Sequence, residues 1–303
     1  VWRAIGLIVL ATACGSRPAT NAPPEATRVW IGGDVFLGAG GQHALSSMPA
    51  IVGAVPGIVN LEGPVGAASV DDRDPAHPRL IHDAAALAEL HAAGVVVAGI
   101  ANNHARDAGP DGDTQTVRAL AAVDIQAAGE RAGPAIVKIG SLRVVVTAHD
   151  LEAGVPERLR ADLVAARRRG DVLVATFHVT GPPTYLPRPE LTDAVAIAME
   201  AGATVIAAHG THELARVERR GHTLIAWGLG NLAFACPCTD EHSGALLEVT
   251  LDKDGAGPAA IIPIDAGLDG GATHAADDPA LTFELMEALG STHLDRRGAR
   301  AWF

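Results

Sequence analysis

The chain has 303 residues, 48% of them hydrophobic but only 3% aromatic, so it is long enough to bury a sizeable core and must build that core from aliphatic and small side chains. Its formal charge of −12, with no basic cluster beyond Arg167, Arg168 and Arg169, excludes a nucleic-acid-binding reading; those three arginines fit the polar face of one helix. The 19 prolines and 34 glycines fall mostly between periodic segments and point to many short connections, not to disorder.

Residues 1–14 combine one positive charge, Arg3, with an apolar run shorter than the roughly 20 residues a bilayer core requires, and they close with small residues before Cys14. This is the pattern of an export segment. Ala11-Thr12-Ala13-Cys14 resembles a bacterial lipobox, in which the cysteine is acylated, although Leu10 stands one position early. The expectation is an extracytoplasmic chain held at a membrane by lipid on Cys14, with plain secretion or a buried N-terminal element as the alternatives. Residues 15–27, rich in Pro, Ala and Ser, then form a flexible tether ahead of a single domain over 28–303.

Arg28 to Ile31 reads as a short apolar strand that stops at Gly32-Gly33-Asp34, and the same event recurs down the chain. Gly57 to Val59 ends at Asn60-Leu61-Glu62, and Val95 to Ile100 ends at Ala101-Asn102-Asn103-His104. Asp171 to Phe177 ends at His178, and Thr204 to Ala207 ends at Ala208-His209-Gly210-Thr211-His212. Helical patterns over Asp83–Ala93, Pro156–Arg169 and Glu190–Ala201 precede several of these strands, each closed by glycine. Asp113 is the expected N-cap of a helix running to Ala122. Ala135–Ile139 and Leu142–Thr147 suggest a hairpin, Thr223–Trp227 and Ala245–Leu251 flank a Gly228-Leu229-Gly230-Asn231 loop, and the tail carries one helix over roughly Leu281–Leu289. Strands alternating with helices predict a helix-covered, at least partly parallel sheet. In such a sheet the ligand site lies beyond the carboxyl ends of the strands, where these carboxylates, amides and imidazoles converge.

The ordered blocks Gly33-Asp34-Val35-Phe36-Leu37-Gly38, Asn60-Leu61-Glu62-Gly63-Pro64, Ala101-Asn102-Asn103-His104 with Asp107, His178, His209 with His212, and Leu229-Gly230-Asn231-Leu232 followed by Phe234 resemble the motifs of CapA proteins, named for poly-γ-glutamate capsule synthesis. The likeness spans about Val29 to Val249. The family is similar to calcineurin-like metallophosphoesterases, so the resemblance implies an α/β four-layer αββα sandwich with a metal site at the sheet edge. It implies metal-ligand roles for Asp34, Glu62, Asn103, His178, His209 and His212, and a substrate-facing His104 held or polarised by Asp107. The chain departs from the family's usual His-Trp-Gly, Gly-His-His-Pro-His and Gly-Asn-Phe blocks, having His178-Val179-Thr180-Gly181-Pro182-Pro183, Ala208-His209-Gly210-Thr211-His212 and Gly230-Asn231-Leu232. These changes alter the substrate wall more than the ligand set.

Such oxygen and nitrogen donors suit a divalent Mn²⁺ or Zn²⁺, with Fe a third option, as one ion or as two. Phosphoesterases holding two metals place a further His two after the first Asp, where this chain has Phe36. The leading expectation is a metal-dependent hydrolase or transferase acting on an envelope polymer, through a phosphoester or γ-glutamyl amide bond, with capsule-synthesis membrane proteins as partners. A non-catalytic envelope protein and a phosphodiesterase on small phosphoesters are the alternatives. Cys236 and Cys238 could form a disulfide, bind a soft metal or stay reduced. Tyr185 is a candidate lining residue of the substrate groove, and the remaining histidines, His82 and His149 among them, default to core or surface roles.

Overall fold

The computed structural model describes residues 26–39, 43–67, 69–71, 78–268 and 271–303. The export segment with Cys14 and nearly all of the tether lie outside the described residues, while Thr27, at the tether's end, is docked by the Leu251 N–H on its carbonyl at 2.7 Å.

Among the described residues two large sheets carry the fold, the first of 11 strands. Near its centre Arg28–Phe36 runs parallel to Gly57–Leu61, which is followed across the sheet by parallel Val95–Gly99 and Gln126–Ala128. On its other side Arg28–Phe36 takes an antiparallel partner, Ser243–Asp252, which forms a hairpin with Gly255–Asp265. The second sheet has 6 strands. Leu142–Asp150, Val172–His178, Val205–His209 and Thr223–Ala226 are parallel, and antiparallel Ala135–Ile139 and Val217–Arg220 close its two edges.

Period-two alternation sorts the side chains of each sheet into two cores. Val29, Ile31, Ile58 and Val97 of the first sheet meet Val144, Val146, Val172, Val174 and Val205 of the second in one buried cluster. Trp30 and Val59 face the other way, onto Leu87 and Leu90 of helix Leu87–Ala92 and Leu120 of helix Gly112–Ala121. Val145, Leu173 and Ile206 pack under Leu159 and Leu163 of helix Leu159–Arg167 and Leu191 and Val195 of helix Pro189–Glu200. The result is a four-layer αββα sandwich of the metallophosphoesterase type. The strand–helix alternation alone does not say how many sheets there are; the structure has the two that the family resemblance implies. A strand covered by a helix and one covered by another sheet are equally apolar on that face, so hydrophobicity does not separate them.

Smaller expectations divide. Gly94 and Gly202 end their helices at φ +83°, as the sequence suggests. Gly170 serves a different purpose, because a Cβ there would lie 2.7 Å from the Arg143 carbonyl oxygen. Asp113 is not an N-cap: the helix starts at Gly112, Asp111 precedes it without a side-chain cap, and Asp113 instead pairs with Arg131 at 3.4 Å. Helix Pro279–Ala288 buries Phe283 and Met286 in the inter-sheet core. Among the described residues no helix is long and apolar enough to cross a membrane.

The packing yields two expectations. A Cβ on Gly57 would sit 2.1 Å from the fully buried Trp30 ring, so Gly57→Ala should cost about 1–3 kcal/mol of stability by chemical denaturation. His149, beside Phe177 with its Nε2 buried and without a partner, is lowered by burial to about 4 from 6.5. The unfolded chain then binds the extra proton first, so this contribution is complete above pH 6.5 and is lost as pH falls toward 4. Relative to His149→Gln, the wild type should lose up to about 1.4 kcal/mol per pH unit across that window, read from urea midpoints.

Candidate metal centre

The parallel strands of both sheets deliver their carboxyl ends to one rim. From the first sheet come Asp34 within Arg28–Phe36, Glu62 directly after Gly57–Leu61, and Asn103 and His104 in the turn after Val95–Gly99. From the second come His178 and His209, the paired last residues of neighbouring strands, with His212 three residues on. Two glycines make the approach possible. A Cβ on Gly33 would lie 1.9 Å from the Gly230 carbonyl oxygen, which accepts the Asp34 N–H at 3.1 Å. Gly210, at φ +91°, leaves room for the His178 ring, whose Nε2 a Cβ would approach to 2.6 Å.

The six candidate ligands and the His104–Asp107 pair lie in one connected neighbourhood. Ligand-type atoms of Asp34, Glu62 and His178 all fall within 4.8 Å of one another. His209 Nδ1 is 3.8 Å from Asp34 Oδ1, His212 Nδ1 is 3.5 Å from Asp34 Oδ2, and His212 Nε2 is 3.8 Å from Glu62 Oε1. Asn103 Oδ1 is 2.8 Å from His178 Nε2. His104 Nε2 stands 3.9 Å from Glu62 Oε1, and its Nδ1 is 2.9 Å from Asp107 Oδ2.

The electrostatics follow from burial. Asp34, Glu62, His178 and His209 are all nearly inaccessible to solvent. Burial by itself raises Asp34, but His212, His209, His178 and the Gly210 N–H on Oδ2 at 2.9 Å outweigh it and keep the carboxyl below its ordinary range. Glu62 is pushed well above its range, first by burial and then by the charge of Asp34. His178 drops to about 3 and His209 also falls, both through burial and against the pull of Asp34. Their rings are therefore neutral at physiological pH, and His209 keeps a lone pair that no hydrogen bond uses. Glu62 Oε2 and both ring nitrogens of His209 are buried without a hydrogen-bond partner. Orphaned donors of this kind, grouped around an ionised carboxylate, are what a cation would satisfy.

Several residues outside the candidate ligand set support it, in roles that the sequence does not assign. Asn60 donates from Nδ2 to Asp34 Oδ1 at 2.8 Å and reaches His178 Nδ1 at 3.3 Å, tying one sheet to the other. Since that amide nitrogen only donates, His178 accepts at Nδ1 and donates from Nε2 to Asn103. Asn102 holds the turn after Glu62 through Leu61 O and the Gly63 N–H. His82, buried, accepts the Leu37 N–H at Nδ1 and reaches the Glu62 carbonyl with Nε2 at 2.9 Å. Asn231 Oδ1 takes His212 Nδ1 at 2.8 Å. The strand expected to stop at Thr147 runs on to Asp150, in register with His178, and burial raises Asp150 to about 6.

The cleft over the cluster is walled by Thr180, Gly181, Pro182 and Pro183, by Glu152, and by Phe234, which packs edge-on against His212 at 4.9 Å. Phe234 and Glu152 thus supply an aromatic and a carboxylate on a wall where the usual His-Trp-Gly block is absent. Tyr185 lies on the exposed side of that loop and is not part of the lining. Cys236 and Cys238 form a disulfide, with Cys238 at the cleft edge.

Residues 42–235 match the family described as bacterial capsule synthesis protein PGA_cap. The chain belongs to this family. As a PGA_cap member it is 29% identical over 187 residues to the PGA biosynthesis protein CapA of Bacillus subtilis (strain 168), an alignment that takes in 54% of this chain and 49% of that protein. The chain thus spans about half the length of the curated relative it matches. Its fold is similar to the crystal structure of a hypothetical protein from Thermus thermophilus, with a TM-score of 0.56 and 13% identity over 79% of this chain and 99% of the other. With this arrangement the PGA_cap chain has a calcineurin-like site of metal-binding type.

Removing the Asn60 amide should expose how far this centre depends on it. Asn60→Ala leaves Asp34 Oδ1 and His178 Nδ1 without a donor, and a loss of about 1–3 kcal/mol is expected by chemical denaturation in the presence of chelator.

Proposed function

We propose that this chain is a metal-dependent hydrolase or transferase acting outside the cytoplasm on a cell-envelope polymer of the poly-γ-glutamate type. The observation that carries the reading is the buried convergence of Asp34, Glu62 and His178 within 4.8 Å, with unpartnered nitrogens of His209 beside them. The donors would come from Asp34, Glu62, Asn103, His178, His209 and His212, and their oxygen and nitrogen chemistry suits Mn²⁺ or Zn²⁺, with Fe a third option. Phe36, two residues after Asp34, is buried against His82 and Phe234, so a second ion would depend on the far imidazoles, His209 and His212. When bound, a divalent cation supplies Lewis acidity and positive charge at the rim.

The side chains beside it handle the proton. Asp107 Oδ2 accepts the Leu80 N–H at 2.6 Å, and its carbonyl oxygen accepts from Arg79, so the carboxylate is fixed before it meets His104. With Nδ1–H committed to Asp107, His104 presents Nε2 to the cleft and to Glu62. Carrying a proton there, it protonates the leaving group of an amide or ester; neutral, it takes one from the incoming nucleophile. Phe234 and residues 180–183 line one side of the cleft where that exchange takes place.

The polymer is taken from the printed name of the Bacillus subtilis relative, which concerns PGA biosynthesis. Export, lipid on Cys14 and membrane partners belong to the same reading and rest on residues 1–14 and the family resemblance. A non-catalytic envelope role is the second reading, favoured by the replacement of the His-Trp-Gly block.

Metal analysis separates the two. Wild-type protein reconstituted with Mn²⁺ or Zn²⁺ should retain metal and cleave γ-glutamyl or phosphoester probes. His209→Ala should lose metal, and His104→Ala should keep it while turnover falls by about 10²–10⁴-fold. A wild type that takes up no metal and hydrolyses neither probe would establish the non-catalytic role.

A further inference from the structure

A hollow of about 560 Å³ lies between strand Leu142–Asp150 and helix Leu159–Arg167, and none of the candidate ligands lines it, nor do His104 and Asp107. Thr147, Ala148 and His149 of the strand form one side. Pro134 closes it from the preceding connection, and Ala165 and Ala166 close it from the helix. Along the strand Val144 and Val146 belong to the inter-sheet core and Val145 to the helix-facing one. Period two therefore turns Thr147 and His149 toward the helix, on the side where the hollow lies.

These two side chains are unsatisfied in a place where that is costly. Thr147 is only 5% exposed, and both its Oγ1 and His149 Nε2 are buried without a hydrogen-bond partner. Each such group left unpaired costs about 1–3 kcal/mol, so two on neighbouring positions of one strand face call for a partner. One staggered step about the Thr147 Cα–Cβ bond exchanges its hydroxyl and methyl positions, which lets the oxygen turn to a guest. Burial holds the His149 ring neutral, so it brings no charge. At the mouth the exposed Glu130, Glu157 and Asp162 outnumber Arg158 and Arg169, which disfavours an anionic guest. A hydroxyl and a neutral imidazole each donate and accept, and they match a guest that does both. The volume is that of a small-molecule site with apolar walls and few polar groups.

We propose that this hollow is a second binding site, separate from the metal centre, for a small neutral ring compound with a hydrogen-bond donor and acceptor side by side, of the cyclic amide class. The proposal does not depend on the polymer reading.

The test is calorimetric titration of the full, metal-loaded chain with 2-quinolone, a neutral cyclic amide, and with N-methyl-2-quinolone, which lacks the donor. The first should bind with a Kd below about 1 mM, and the second about tenfold more weakly. Thr147→Val removes a hydroxyl that has no partner in the protein, so the denaturation midpoint should not fall, while the Kd for 2-quinolone should rise about tenfold. Ala165→Trp, which fills the hollow from an exposed helix position, should abolish binding with metal content intact. No binding of 2-quinolone at millimolar concentration, equal affinity for its N-methyl derivative, or binding that survives either substitution unchanged overturns the proposal.

Discussion

A carboxylate buried between two sheets has to be satisfied from both of them. Asp34 receives the Asn60 amide from its own sheet and the Gly210 N–H from the end of a strand in the other, with His209 and His212 close by. Left alone in that environment it would be protonated or would destabilise the fold by several kcal/mol. Its ionised state therefore ties the alignment of the two sheets at this rim to the chemistry of the rim. Asn60 extends the tie by reaching His178 as well, so the same amide orients a donor in each sheet.

The environment of Glu62 is the reverse. It lies near Asp34, has one oxygen without a partner and has its acidity suppressed by burial. Two carboxylates this close cannot both ionise comfortably in a low dielectric unless positive charge lies between them. Burial works against positive charge on the imidazoles and holds His178 near 3. A bound cation would relieve Glu62 and engage the unpartnered nitrogens of His209. The protein meanwhile keeps Glu62 in place from its backbone, through His82 on the Glu62 carbonyl and Asn102 on the turn behind it.

The walls of the cleft come from a different part of the design. Pro182 and Pro183, the disulfide-joined Cys236 and Cys238, and Glu152 all belong to connections after strands, and none of them is among the candidate ligands. Connections of this sort can change without disturbing the rim beneath. That is consistent with a chain that keeps the ligand-type residues of its family while departing at the residues after His178 and at Gly210. At Gly210 the departure has a local reason, since a left-handed backbone beside the His178 ring leaves no space for a side chain.

Much of this site was legible without coordinates, because a strand that ends in Asp, Asn or His at a glycine-rich turn announces itself locally. Glu62, Asn103, His104, His178, His209 and His212 lie at or just past such ends, and Asp34 lies two residues before the end of Arg28–Phe36. The supporting roles of Asn60 and His82 were not legible, because the partners that define them are 118 and 45 residues away. Asp150 was missed because the strand was taken to stop at Thr147, and Asp113 was misplaced because capping depends on backbone geometry one or two residues away. The sequence by itself determined where the strands lie to within a few residues and which donor types stand near their ends, since periodicity and turn chemistry are local. Tertiary structure alone decided which strands share a sheet and that Asn60 spans the gap between the two sheets. Those outcomes depend on distances between segments far apart along the chain, which local pattern does not encode.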